Sequence, residues 1–567
     1  MNKKKPIEQS AHSLDTLVEE ILLWQKKQAI QDLHVDDMKT PSGRVHTGAL
    51  RGVLLHDVIA KIIQEHLDKE SQENRAQKVL STYVFNDMDP MDGLPLYLNK
   101  EEYLQHMGKP LYLIPPPALD KSGIDFSQIN EQERMELEAA KNFAEFYATD
   151  FIHTFRALGC SQEIVWSHHL YESGQMDEVI RFSLDHVDLF KKIYKEVADY
   201  DLPENWYPFQ VICPVCGKIG TTLVTDWDGQ EVGFVCQEHA VKWAEGCGHQ
   251  GKISPFSGNG KLLWKVDWPA HWRTLGVNIE GAGKDHTSAG GSRDMANAIC
   301  REVFKTQVPF DIPYEWILLR GSKMSSSKGV GTSAREFTAL FPPSVGRFLF
   351  VNKDHNQVID FDPASMAIPD LFDDYDRAAR IYWGQEEGDQ RLARAFVLSQ
   401  PDNIIPQAHF LTRFRDLAQW MQYPEKDVFV EASKVKGAEL TALEKEVITE
   451  RLHYAELWIS KYAPEEYQWR AKKTMPPQAQ ELSEEQIMFL EEISKMIAGQ
   501  SWQAQELQQA IFDLAKQGLG TGPAFKSIYL AFLGKKSGPR AAWFLLNIDQ
   551  QLLQDRIKEL KDLHKKN

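Results

Sequence analysis

This sequence of 567 residues has few cysteines, no long apolar run and no excess of basic charge. Six cysteines in so long a chain do not form the dense disulfide framework of a small secreted domain. Residues 1–6 include three lysines but lack the apolar core of a secretory signal peptide. No apolar stretch is long enough to cross a bilayer. We therefore expect a cytoplasmic protein with no membrane partner.

The net charge of −17 argues against indiscriminate nucleic-acid binding through bulk electrostatics. It leaves room for an RNA partner, because such contact needs only a local basic strip. Hydrophobic residues make up 43% of the chain, which is enough for packed cores. The length is above the size at which a single core stops growing, so several domains are expected.

The start of the chain alternates between two kinds of apolar pattern. Helical spacing predicts helices over residues 14–30 and 48–67, whereas short strands are predicted over residues 32–35 and 78–85. A strand, a glycine-containing turn, a helix and a second strand open a doubly wound α/β sheet. Ligands of such sheets bind beyond the carboxyl ends of the strands, which draws attention to Asp87 and Asp89. These carboxylates could bind an amino group or Mg²⁺, or could merely form a turn before a proline.

The pattern continues up to about residue 370 and then loses its strands. Residues 94–125 are rich in proline and glycine and read as a loop-like insertion. Helices are predicted over residues 131–158, 176–197 and 290–305, and strands over residues 163–166, 275–280 and 314–319. Leucine-rich helical patterns follow to the end, with breaks at prolines. A glycine loop that contains Gly283, Asp285 and His286 precedes one of these helices.

Four of the six cysteines lie in one part of the sequence: Cys213, Cys216, Cys236 and Cys247. The first two have C-x-x-C spacing, and a hairpin is predicted around residues 226–229. This layout favours a tetrahedral structural zinc over a redox pair, because no helix follows the C-x-x-C directly. The four thiolates are the softest ligand set, but His239 or His249 could replace one of them.

Two distant segments combine glycine with side chains that suit phosphates. Residues 40–50 contain His46 and Gly48 at a predicted strand-to-helix junction, where anions bind well. Residues 321–329 place Lys323 and Lys328 around a run of small hydroxyl residues between glycines. Lysine is a compact charge that suits phosphate oxygens, although such a cluster by itself is also typical of a solvated loop.

Together the two segments resemble the paired signature motifs of class I aminoacyl-tRNA synthetases. The first resembles their His-x-Gly motif and the second their Lys-Met-Ser-Lys-Ser loop, here written Lys-Met-Ser-Ser-Ser-Lys. Further blocks narrow the resemblance to the class I lysyl-tRNA synthetases, roughly from residue 35 to residue 544. These blocks are residues 87–90, 264–272, 283–286, 289–292, 313–316 and 533–540.

The resemblance implies a Rossmann-type doubly wound parallel sheet with a zinc-ribbon-like insertion, followed by an all-α anticodon-binding domain. It divides the chain into an N-terminal helical extension (1–30), a catalytic domain (31–365) that includes the zinc-binding insertion (205–260), and the helical domain (366–567). A basic strip with aromatic residues near the end is either a tRNA contact or a solvated face. Its residues are Phe525, Lys526, Tyr529, Lys535, Lys536 and Arg540.

The implied reaction is the ATP-dependent activation of L-lysine to lysyl-adenylate and its transfer to the 3′-terminal adenosine of tRNA-Lys. Positioning and neutralisation of phosphate charge suffice for both steps, with Mg²⁺ accompanying ATP. The residues implied in catalysis are His46, Gly48, Lys323, Ser325, Ser326 and Lys328. Those implied in nucleotide binding are Ser42, Gly43, His46, Gly48, Ala49, Gly283, Lys323 and Met324. Those implied in lysine binding are Thr40, Asp87, Trp264, Asp285, His286 and Tyr314. A monomer is favoured.

Several positions depart from the family pattern. Thr47 and Ala49 flank the motif glycine where the family has a small apolar residue and Asn or His, Met38 replaces a frequent glycine, and Val330 replaces a frequent Asn. These changes leave open a synthetase-like tRNA-binding paralogue with weak or no aminoacylation. A glutamyl-type class I synthetase is a second alternative, although the blocks at residues 264–268 and 283–286 argue against it.

Overall fold

Strands and helices are interspersed up to residue 361, with five strands in succession between residues 209 and 262. A computed structural model describes residues 12–70, 78–125, 127, 129–321, 332–423 and 426–566. The strands are β1 (His34–Lys39), β2 (Leu80–Phe85), β3 (Glu163–Trp166), β4 (Phe209–Val211), β5 (Thr222–Trp227), β6 (Val232–Cys236), β7 (Gln250–Ile253), β8 (Gly260–Leu262), β9 (Ile279–Gly283), β10 (Phe310–Tyr314), β11 (Ile317–Leu319) and β12 (Ile359–Phe361).

The helices occur both between these strands and, from residue 367, one after another with no strand between them in the described part of the chain. They are α1 (Ser13–Gln28), α2 (Ala49–Glu70), α3 (Lys100–Tyr103), α4 (Glu131–Glu138), α5 (Phe143–Ala157), α6 (Ser167–Glu172), α7 (Asp177–Asp185), α8 (Val187–Ala198), α9 (Trp264–Leu275), α10 (Ser292–Ile299), α11 (Ala334–Thr338), α12 (Pro343–Val351), α13 (Ala367–Tyr382), α14 (Gln390–Leu398), α15 (Phe414–Trp420), α16 (Val428–Lys436), α17 (Ala442–Lys461), α18 (Glu484–Gly499), α19 (Ala504–Gln517), α20 (Thr521–Leu533), α21 (Ala541–Asn547) and α22 (Gln550–Lys566). None of the described helices has the length and apolar character needed to span a membrane.

Five strands form a parallel sheet in the order β10-β9-β1-β2-β3. The strand order reverses at β1, so β1 and β9 flank the switch point of a doubly wound sheet. Val35, Val84 and Phe85 are fully buried, as expected of parallel strands covered on both faces. The predicted fold class, a doubly wound α/β sheet followed by a helical region, is confirmed.

Some predicted boundaries were wrong because polar side chains are buried in the sheet. β1 runs to Lys39 and not only to residue 35, since it carries the buried carboxylates of Asp36 and Asp37. The hydroxyl of Thr82 on β2 donates a hydrogen bond to Asp36. β9 is Ile279–Gly283 in place of the predicted residues 275–280, since α9 occupies the chain up to Leu275. It carries the buried Glu280.

Other predicted elements proved to be two elements each. The helix predicted over residues 131–158 is α4 and α5, because Asn142 caps a new helix. The helix predicted over residues 176–197 breaks at His186 into α7 and α8. The strand predicted over residues 314–319 is the end of β10 followed by β11, which pairs with β12 in a separate sheet. The backbone N–H of Glu315 donates to the carbonyl of His355 at 2.9 Å, so the chain leaves the main sheet there.

The cysteine-rich segment forms two small antiparallel sheets. β4 pairs with β8, and β5, β6 and β7 form a three-stranded sheet that contains the predicted hairpin. Residues 94–125, predicted as a loop-like insertion, also contain α3 and contribute buried apolar side chains to a cluster with α4 and α5. Turn-rich composition therefore did not exclude local packing.

The described chain separates into two units. One consists of the residues up to Phe361 together with Arg377–Pro406, and the other of Asp362–Asp376 and Gln407–Asn567. The second unit is helical and contains a buried ion pair: Arg451 Nη1 donates to a carboxylate oxygen of Asp376 at 2.8 Å and to the carbonyl of Thr412 at 2.8 Å. Both charged side chains are only 4% exposed.

Candidate active site

A cavity of about 490 Å³ opens beyond the carboxyl ends of β1, β9 and β10. This is the position at which doubly wound sheets bind their ligands. Nine of the residues predicted for the site line this cavity: Thr40, His46, Gly48, Ala49, Trp264, Gly283, Asp285, His286 and Tyr314. The structure therefore brings together segments that are more than two hundred residues apart in the sequence.

The remaining predicted residues fall into two groups. Ser42, Gly43 and Asp87 are described but do not line the cavity. The carboxylate of Asp87 instead accepts hydrogen bonds from the ring and the backbone N–H of His168, the latter at 2.9 Å. Five predicted residues lie outside the described residues: Lys323, Met324, Ser325, Ser326 and Lys328.

The turn that carries His46 is held by the chain that follows the lysine-rich segment. His46 forms an isolated antiparallel bridge with Ser333. The backbone N–H of Thr47 donates to the carbonyl of Thr332 at 3.2 Å, and that of Ala334 donates to the carbonyl of Val45 at 2.8 Å. Thr332, the first described residue after the segment 321–329, therefore lies against the turn that contains His46 and Gly48.

Gly48 allows the ring of His46 to lie over the start of α2. A Cβ atom on Gly48 would lie 2.7 Å from both Cε1 and Nδ1 of His46, which is closer than side chains approach one another. Glycine here leaves space for the ring in this position; its backbone is not in the left-handed region. The backbone N–H groups of Ala49, Leu50 and Arg51 donate to the carbonyls of the turn that precedes α2. The imidazole of His46 and the positive end of the α2 dipole are therefore what this end of the cavity offers a phosphate.

Aromatic rings form one wall of the cavity. The rings of Trp264 and Trp268 stack with centroids 5.6 Å apart, and the ring of His286 contacts both edgewise. Trp316 Nε1 donates to Asp285 at 3.4 Å on the neighbouring loop. Aromatic faces of this kind favour a bound cation with an apolar stem.

A chain of polar contacts runs along the floor of the cavity. Thr40 Oγ1 donates to Asp89 Oδ2 at 2.5 Å, and Lys261 Nζ donates to Asp89 Oδ1 at 2.6 Å. The same ammonium lies 2.8 Å from a carboxylate oxygen of Asp267. Burial opposes the charge on Lys261, but these two carboxylates outweigh it and raise the lysine pKa.

Two further carboxyl groups that line the cavity have raised pKa values. Burial raises the pKa of Asp37 to about 7. Burial also raises the pKa of Glu280 to about 7, although the indole N–H groups of Trp268 and Trp272 both donate to its carboxylate. A cationic ligand in the cavity would favour the ionised form of both groups.

The sequence analysis missed several lining residues. They are Asp37, Lys39, Arg51, Lys261, Asp267, Trp268 and Glu280. One signal was available: Trp264, Trp268 and Trp272 recur at a spacing of four, which places them on one helix face. The charged residues gave no such signal, because their shared position depends on the strand order.

The four predicted cysteines lie together at the ends and connections of the small antiparallel strands. Their Sγ atoms all lie within 4.8 Å of one another, with Cys213 and Cys247 at 3.6 Å and Cys216 and Cys236 at 3.7 Å. A tetrahedral zinc with bonds of about 2.3 Å separates its sulfurs by about 3.8 Å. The donor set and its spacing therefore fit a structural zinc.

Comparisons with known proteins agree with these observations. Residues 12–402 match the family model described as tRNA synthetases class I (K). A lysine–tRNA ligase of Methanosarcina barkeri is 31% identical over 92% of this chain and 93% of its own length. Lysine–tRNA ligases of Methanosphaera stadtmanae and Archaeoglobus fulgidus are 27% and 29% identical, over 97% and 92% of this chain and 99% and 94% of their own lengths. The chain belongs to the class I lysyl-tRNA synthetase family.

Proposed function

We propose that this protein is a lysine–tRNA ligase that activates L-lysine with ATP and transfers it to the 3′-terminal adenosine of tRNA-Lys. The observation that carries the proposal is the composition of one cavity. Its phosphate-facing end is the His46 turn, and its other end combines aromatic rings with an excess of carboxyl groups. These two ends suit ATP and the side-chain ammonium of lysine, respectively.

The charges of the cavity support a cationic amino acid. Five carboxyl groups line it, against three basic side chains: Asp37, Asp89, Asp267, Glu280 and Asp285, against Lys39, Arg51 and Lys261. A bound cation favours the ionised forms of Asp37 and Glu280, whose pKa values are about 7. This excess therefore attracts the ammonium of lysine and disfavours the side-chain carboxylate of glutamate. This argues against the glutamyl-type alternative.

In the proposed mechanism the protein positions reactants and neutralises charge. The carboxylate of lysine attacks the α-phosphorus of ATP, and pyrophosphate leaves. His46 and the N-terminus of α2 hold the triphosphate beside the amino acid, while Lys323 and Lys328 stabilise the departing pyrophosphate. Mg²⁺, when bound with ATP, neutralises further phosphate charge. A ribose hydroxyl of the tRNA then attacks the acyl carbon of lysyl-adenylate, the lysyl ester forms and AMP leaves.

We further propose that Cys213, Cys216, Cys236 and Cys247 bind a structural zinc and that the helical unit binds the tRNA anticodon region. The thiolate spacing supports the first proposal, whereas His239 and His249 remain the alternative ligands. Since ATP and tRNA are both cytoplasmic, we expect the protein to act there. We expect a monomer, which size-exclusion chromatography with multi-angle light scattering would test.

The test is lysine-dependent ATP–pyrophosphate exchange, with and without tRNA-Lys, beside a Lys323→Ala variant. Exchange with lysine that this variant loses would support the proposal. Exchange with glutamate would assign the chain to a neighbouring specificity. Binding of tRNA without exchange for any amino acid would support the alternative of a paralogue that lacks aminoacylation. Met38 and Ala49, which depart from the family pattern and line the cavity, would then be the first residues to test.

A further inference from the structure

Lys261 is a buried cation in the cavity wall to which the proposed mechanism gives no task. Its side chain is only 3% exposed. It projects from β8, outside the main parallel sheet, and reaches Asp89, which follows β2 of that sheet. Long charged side chains are rarely buried to this extent unless specific partners hold them.

Asp267, the second partner of Lys261, fixes the position of the lysine ammonium. Asp267 accepts a hydrogen bond from the hydroxyl of Tyr171 at 2.5 Å and lies 3.3 Å from the imidazole of His271. The same tyrosine oxygen accepts the backbone N–H of Leu262, the residue after Lys261, at 3.1 Å. Both the backbone and the head group of Lys261 are thus anchored before any substrate binds.

The contacts of Asp89 determine the direction of a neighbouring hydroxyl group. One carboxylate oxygen accepts from Lys261 and the other accepts from Thr40. An ionised carboxylate can only accept, so the proton of the Thr40 hydroxyl must point at Asp89. The lone pairs of that hydroxyl oxygen are then left for a donor in the cavity, which Thr40 lines.

We propose that Lys261 is a positioning residue for the amino-acid substrate. By holding Asp89, it turns the hydroxyl of Thr40 into an obligatory hydrogen-bond acceptor for an ammonium group of the bound amino acid. The inference rests on the proposed function, since it takes lysine as the ligand. It adds a specificity device that acts through Asp89 and Thr40 and does not require Lys261 to touch the substrate.

Isosteric variants separate this role from simple support of the fold. Lys261→Met removes the ammonium but keeps most of the side-chain volume. Asp89→Asn keeps the shape, and Lys261 would retain the amide oxygen, so the amide NH₂ would face Thr40 and reverse its hydroxyl. Thr40→Val removes the hydroxyl, whereas Thr40→Ser keeps it.

The measurement is calorimetric titration of the full-length protein with L-lysine, and separately with ATP. Lys261→Met, Asp89→Asn and Thr40→Val should each weaken lysine binding by about tenfold or more, as expected for a lost hydrogen bond to a charged group. Thr40→Ser should bind lysine like the wild type. Binding of ATP should change by less than about twofold in all four variants.

The decisive comparison places the first two changes in the Thr40→Val background. If they act through the hydroxyl, they should weaken lysine binding there by less than about twofold. Losses that add fully, or normal lysine binding by Thr40→Val, would overturn the inference. Asp89→Asn keeps the experiment decisive if Lys261→Met fails to fold.

Failure of the proposed function gives a different pattern. If the wild-type protein binds lysine but catalyses no exchange, the ligase proposal is refuted. The positioning role is still supported if the variants show the coupled losses of lysine binding. A wild-type chain that binds no lysine would overturn both.

Discussion

Replacing Gly48 by alanine should displace the ring of His46 and little else. The new Cβ would lie 2.7 Å from two ring atoms, whereas carbon atoms in contact prefer about 3.5–4.0 Å. The imidazole must therefore move by about 1 Å. Because the backbone of Gly48 is outside the left-handed region, alanine adds no backbone strain.

A displacement of this size has a large kinetic effect. Misplacing a catalytic group by about 1 Å can cost about 100-fold in rate. That factor corresponds to about 2.7 kcal/mol of activation free energy. Folding stability should be nearly unchanged, since alanine in place of glycine at a compatible site contributes about 0.4–1 kcal/mol.

The assay is lysine-dependent ATP–pyrophosphate exchange, with thermal unfolding followed in parallel. Gly522→Ala is the matched control, because Gly522 also lies at the start of a helix and a Cβ there meets nothing within 4 Å. His46→Ala gives the effect of losing the ring altogether. Full exchange activity in Gly48→Ala, beside a large loss in His46→Ala, would refute the reasoning about ring position.

Three further predictions concern acidity, metal and stability. Burial raises the pKa of Asp37 to about 7, so the folded protein keeps a proton there that the unfolded chain releases near pH 4. The stability that this group contributes is therefore lost as the pH rises from about 4 to about 7. Asp37→Asn should flatten the fall of Tm over the same pH range. An unchanged slope would contradict this. Cys247→Ser should release bound zinc, measured by mass spectrometry, and lower Tm, whereas His239→Ala should retain the metal. The reverse result would favour the ligand set in which His239 replaces Cys247. Arg451→Met should lower the free energy of unfolding by about 3–5 kcal/mol in urea titrations because it leaves a buried carboxylate unpaired. Arg413→Ala, which breaks a largely exposed ion pair in the same unit, should cost about 1 kcal/mol or less, and equal losses would show that burial does not set the difference.

Much of the fold could be predicted from local patterns. The strand, turn and helix around His46 follow from apolar periodicity and glycine, and these features are visible within residues 32–67. The cysteine spacing likewise predicted four thiolates that do lie together. In both cases the residues that lie together in the structure also have a recognisable spacing in the sequence.

The predictions failed where the partner of a residue is far away in the sequence. The predicted strands stopped before Asp36 and at Glu280, but Thr82 pairs with Asp36 inside the fold, and Trp268 and Trp272 pair with Glu280. Residues 314–319 looked like one strand, yet β11 finds its partner in β12 and not in the main sheet.

The sequence by itself determined the order of the motifs, the class of fold and the side chains available for chemistry, because each depends on residue type and short-range spacing. Only the tertiary structure decided that Lys261, Asp89 and Thr40 form one connected group in the cavity. The physical reason is that a buried charge is stable only beside its partners. Those partners are selected by strand order and packing, which no short stretch of sequence contains.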